Sequence, residues 1–91
     1  MNILVRTAVV GDAITIARFN TLMAEETEGV ALNQERIRKG VENILSDSAK
    51  GIYYVATLGD RIVGQLMITY EWSDWRNGNF WWIQSVYVEK E

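Results

Sequence analysis

The sequence predicts an α+β fold of order β-α-α-β-β-β, a mostly antiparallel sheet carrying two helices on one face. Three observations carry this reading. A short apolar run is followed by two stretches with apolar residues at helical spacing. Three runs rich in β-branched and aromatic residues then come in succession, joined by short turns. At 91 residues, with no linker or internal repeat, residues 1–91 form one domain or part of one.

Residues 3–8 form the first strand, and Gly11-Asp12 breaks it. Asp12 is a good N-cap for a helix starting at Ala13, whose apolar face is Ile16, Ala17, Phe19, Leu22 and Met23. That helix fades into Glu25-Glu26-Thr27-Glu28-Gly29, where carboxylates stand at the unfavourable end of the helix dipole. Asn33 caps a second helix with Ile37, Val41, Ile44 and Leu45 at i, i+4, i+7 and i+8. It ends within residues 46–51. Residues 52–57 are a strand that Gly59-Asp60 turns into a partner at 61–71. A Trp-rich loop at 72–78 closes on Asn77-Gly78, a hairpin signal, and the last strand spans 79–88. The helices can cover one face of this sheet. The other face and the outer edge of the last strand then need a partner or further chain.

Composition removes much chemistry. The chain has no Cys and no His, which excludes disulfides, thiolate nucleophiles, imidazole bases and the usual zinc sites. A carboxylate-only magnesium or calcium site stays open, but no Asp spacing of the EF-hand kind appears and no metal ligands are assigned. A net charge of −3 argues against nucleic acid, whose phosphates call for a Lys/Arg surplus. The N-terminus lacks the basic and apolar regions of a signal peptide, and no apolar run is long enough to span a bilayer. The expectation is a cytoplasmic protein without nucleic-acid or membrane partners.

Three local patterns in this order resemble the N-terminal half of the GNAT superfamily of N-acetyltransferases. Val5-Arg6-Thr7-Ala8 with Asp12 and Ile16 resembles its first strand and helix entry. Gly59-Asp60-Arg61-Ile62-Val63-Gly64-Gln65 resembles the hairpin into its third strand, and Ser85-Val86-Tyr87-Val88 the end of its fourth. The resemblance covers the whole chain but about half of the family's acyl-CoA N-acyltransferase fold. It implies acetyl-CoA as cofactor and transfer of acetyl to an amine. It also implies that main-chain groups of Val86 and Val88, with Tyr87, pair with the pantetheine arm and polarise the acetyl carbonyl. The family's fourth strand leads into a Q/R-x-x-G-x-G/A loop, where backbone amides and a helix N-terminus hold the pyrophosphate. This sequence carries Glu89-Lys90-Glu91 there and no such motif, so the domain is expected to be truncated before that loop. By itself it should be inactive or very weak.

With no His or Cys, only carboxylates and Tyr can take a proton from an amine. Glu71 is the candidate base, beside Tyr70 and Trp72, whose aromatic cover would raise its pKa; a solvated Glu at a strand end is the plainer alternative. Glu25 and Glu26, with Glu28, would suit an amine acceptor, against the alternative of an acidic solvated loop. Tyr70, Trp75 and Gln84 complete the candidate acceptor contacts. Trp75 beside Arg76 can stack on a ligand, although packing or an interface is the commoner use of such a cluster. Gln84 can orient an amine or make a structural hydrogen bond. The competing functional reading is a small binding or self-associating domain that forms a homodimer through its open sheet edge.

Overall fold

The computed structural model describes residues 2–89; Met1, Lys90 and Glu91, and with them the expected domain end at Glu91, lie outside the described residues. Strands β1 (Ile3–Thr7), β2 (Ile52–Leu58), β3 (Arg61–Ser73) and β4 (Gly78–Val88) form one sheet in the order β1-β2-β3-β4. Every neighbouring pair is antiparallel. Helices α1 (Ala13–Glu28) and α2 (Gln34–Leu45) intervene between β1 and β2. The architecture is α+β, a four-stranded antiparallel sheet with two helices.

The core lies between the helices and one sheet face. Along β2 the side chains alternate, and Tyr53, Val55 and Thr57 are buried, the pattern of a strand packed on one side. Ile16, Ala17 and Val41 meet them from the helices. Phe19 is fully buried on α1 and stacks at a tilt on Tyr87 of β4, with ring centroids 5.1 Å apart. Burying each large apolar side chain contributes about 2 kcal/mol, so Phe19, Ile16 and Val55 anchor the helix layer.

Local chemistry sets the element ends. Asn33 caps α2, its side-chain oxygen accepting the Arg36 N–H at 2.9 Å. Gly29, at φ 64°, ends α1. Helix α1 therefore stays regular through Glu25, Glu26 and Glu28, the segment into which it was expected to fade. Asp12 occupies the N-cap position of α1, as expected, but its side chain caps no amide of that helix. It sits in the 3₁₀ turn Val10–Asp12, where its carboxylate accepts the Val9 N–H at 2.9 Å. The same carboxylate takes two hydrogen bonds from Arg6, at 2.8 and 3.1 Å. A fork from the strand thus outcompetes the helix amides for this carboxylate.

The last hairpin is longer than expected, because Trp72 and Ser73 pair with Asn79 and Gly78. Its loop shrinks to residues 74–77, closed by Asn77 at φ 53°. Ile52 is the last β2 residue paired to β3, at Ile68. Beyond it, β3 and β4 pair only with each other and project as a two-stranded arm.

Candidate functional site

Strand β4 is not regular. Gln65 pairs with Tyr87 but Met67 pairs with Gln84, so Ser85 and Val86 together oppose Leu66. This is a β-bulge, and Ser85 takes the left-handed conformation at φ 54°. The main chain past the bulge has a definite direction. Glu89 donates its N–H to the Val63 carbonyl at 2.8 Å. By strand alternation Tyr87 also faces β3, whereas the N–H and C=O groups of Val86 and Val88 face outward. Among the described residues no strand pairs with that outer edge.

A buried polar chain holds the bulge from behind. Gln65 Nε2 donates to the Ser85 carbonyl at 3.2 Å and to Asn20 Oδ1 at 2.9 Å. Asn20 Nδ2 in turn donates to the Tyr53 hydroxyl at 3.0 Å. Gln65 Oε1 is buried and has no partner among the described residues. Asn20, Tyr53 and Ser85 also line a cavity of about 440 Å³ between α1, α2 and the sheet. Its middle is apolar, with Met23, Ile37, Val41, Ile44 and Met67, and Thr27 and Glu28 stand at its other end. That volume suits a small organic ligand.

Tyr87, two residues past Ser85, donates from Oη to Glu26 Oε2 at 3.0 Å. Partial burial, then the hydrogen bond and charge of Glu26, with Glu89 adding to it and Arg18 opposing, push the Tyr87 phenol above its ordinary pKa. It stays a protonated donor at neutral pH.

The structure joins one acceptor candidate, Glu26, to one cofactor candidate, Tyr87. Gln84 adjoins the bulge and donates from Nε2 to Thr69 Oγ1 at 2.5 Å. Glu25 faces a different groove, shared with Arg18 and Arg38. Tyr70 and Glu71 lie out on the arm. Tyr70 packs edge-on against Trp81 with centroids 6.1 Å apart. Glu71 is exposed and accepts the Trp82 indole N–H at 2.8 Å. It pairs with Phe80, five residues from Ser85, or roughly 16 Å along the strand. Trp75 is 95% exposed at the arm's tip, and Arg76 lies over the Phe80 ring at 4.9 Å.

Sequence reasoning missed Asn20, Tyr53, Gln65 and the Ser85 bulge. A signal existed for two of them. Asn20 interrupts the apolar face of α1, and Gln65 takes an inward position between Val63 and Met67, where a polar group needs a partner. Among the described residues no three carboxylates gather as a metal site.

No protein-family model and no curated protein matches the chain. Solved structures do. It is 54% identical to a crystal structure described as a possible acetyltransferase from Clostridium difficile 630, with a TM-score of 0.94. That match covers 99% of this chain and 59% of the other, so the chain spans less than two thirds of that relative's length. An integron cassette protein from the mobile metagenome of Cole Harbour Salt Marsh has a TM-score of 0.85 at 24% identity, over 93% of this chain and 55% of its own. A structure described as a predicted acetyltransferase with acetyl-CoA, from Clostridium acetobutylicum, has a TM-score of 0.78 at 17% identity. That match covers 97% of this chain and 60% of the other.

Proposed function

Since the chain carries the N-terminal half of the GNAT acetyltransferase fold, we propose that it serves cytoplasmic transfer of acetyl from acetyl-CoA to a small-molecule amine when the rest of that fold completes it. The observation that carries this reading is the bulged β4, with an outward edge beside a cavity that reaches Ser85. An extended pantetheine arm needs a row of free main-chain donors and acceptors, and Val86 and Val88 supply one. An outward N–H there would also stabilise charge on an acetyl oxygen. Acetyl-CoA, when bound, supplies the activated thioester. The pyrophosphate is another matter, because the 91 residues hold no Q/R-x-x-G-x-G/A motif.

Transfer forms a C–N bond and breaks the thioester C–S bond: a carboxylate takes one proton from the ammonium, and the departing thiolate takes the second as the amide forms and leaves as the free thiol. Glu26, tied through Tyr87 to the strand just past the bulge, is the nearer candidate acceptor of the first proton. Glu71, the candidate from sequence, would serve an acceptor long enough to reach the arm, with Tyr70, Trp75 and Gln84 along its path. Glu25 would act only through its charge.

Titrating the 91-residue chain with acetyl-CoA while following its amide resonances tests the proposal. The expected result is weak binding that perturbs Val86, Tyr87 and Val88. Micromolar affinity would overturn the expected weakness of the chain alone, and no binding, or perturbation confined elsewhere, would overturn the transfer reading.

A second reading, a self-associating domain that forms a homodimer, is favoured by the helix-free sheet face. That face exposes Val5, Trp81, Ile83, Val86 and Val88. Light scattering tests it, and a strictly monomeric chain would count against it.

A further inference from the structure

The cavity between α1 and α2 has a shape that bears on the acceptor. Along α1 its wall runs from Asn20 to Glu28, eight residues or about 12 Å. One end is polar and meets the β4 bulge at Ser85. The middle is hydrocarbon. The far end carries the Glu28 carboxylate, which makes no ion pair among the described residues. Helix dipole physics disfavours a carboxylate in the last turn of α1, so Glu28 is there at some cost to the helix.

The opposite wall contains a second unfavourable choice. Gly40 lies inside α2, where glycine weakens a helix. A Cβ at Gly40 would meet nothing within 4 Å, so no packing constraint demands glycine. Gly40 is exposed, and it lines both the cavity and a polar groove with Asn33 and Arg36.

From these features we infer that the acceptor is an aliphatic diamine, a conclusion that rests on the acetyl-transfer reading above. One nitrogen lies at the Ser85 end, facing the β4 edge. The methylene chain lies along Met23, Ile37, Val41 and Ile44. The distal ammonium pairs with Glu28. A monoamine of equal length keeps the apolar contact and loses the ion pair. An alcohol loses both charges.

The test is a titration of the isotope-labelled 91-residue chain with hexane-1,6-diamine, hexylamine and hexan-1-ol, followed at the amides of Gly40, Val41, Ile44 and Met67. The diamine is expected to bind about threefold more tightly than the monoamine, the gain of an exposed ion pair. Glu28→Gln should abolish that difference without loss of thermal stability, since it removes a charge the helix dipole opposes. Gly40→Leu, which adds bulk at a residue lining the cavity, should weaken all three ligands.

Equal affinity for diamine and monoamine would overturn the inference, as would unchanged binding in Gly40→Leu. An acetyl-CoA titration runs beside it. Diamine binding with no acetyl-CoA effect on β4 supports the amine site and removes the transfer reading. An acetyl-CoA effect without diamine binding removes the amine site alone.

Discussion

Asp12 shows how a single carboxylate can fix the entry to the helix layer. It joins β1 to the 3₁₀ turn through Arg6 and holds the Val9 N–H. The Arg6 hydrogen bonds lower its pKa most, against the opposing effect of burial. A lowered carboxylate contributes stability above its unfolded pKa, about 3.9, and loses it as pH falls through the folded value. Asp12→Asn keeps an acceptor for Val9 but loses the charge. The wild type should therefore melt higher at neutral pH, with the advantage shrinking as pH falls below about 3.9 in parallel thermal scans. The buried chain of Tyr53, Asn20 and Gln65 makes a second prediction. Tyr53→Phe strands the Asn20 amide in the core and should cost about 1–2 kcal/mol, read as a lower urea midpoint. The sequence marked Asp12 as a helix N-cap, but could not show that a side chain six positions earlier would compete for it. Tyr53 passed for an ordinary strand aromatic, because its partner lies 33 residues away.

Among the elements, the β-strands and both helices were legible because periodicity is local and strong. What local pattern could not supply is the bulge in β4. Its cause is the pairing with β3 and the Gln65 side chain behind it, and nothing in Gln84-Ser85-Val86 alone demands it. The junction between α2 and β2 is similarly tertiary. Gly51 is buried at φ 154°, and a Cβ there would stand 2.6 Å from the Ile68 carbonyl and 3.0 Å from Ile44 Cδ1. The helix end and two strands converge at this point. Gly51→Ala should cost roughly 3 kcal/mol, strain and overpacking combined, and show as an early unfolding transition by circular dichroism. Little loss would mean that this junction can relax, and that α2 is held mainly by its apolar face.

At the scale of the molecule, the unequal faces of the sheet decide how the chain behaves alone. The sequence already implied an uncovered face, since two helices cannot cover both sides. Which residues would occupy it depended on strand register, and a shift of one residue would have exchanged the faces. The observed register sets Trp81 opposite Tyr70 and Ile83 opposite Ile68, away from the buried Tyr53 and Met67 side. Trp81 and Ile83 remain 68% and 66% exposed, on the same helix-free face as the exposed Val5, Val86 and Val88. If self-association covers this face, melting temperature will rise with protein concentration, because a partner that binds only the folded chain stabilises it by mass action. Trp81→Lys with Ile83→Lys should remove that dependence. The buried core should be unaffected, since neither side chain belongs to it. Thermal scans over a hundredfold concentration range would read both effects. A wild-type melting temperature independent of concentration would show that the open face does not pair with a second copy, leaving the transfer reading without its competitor.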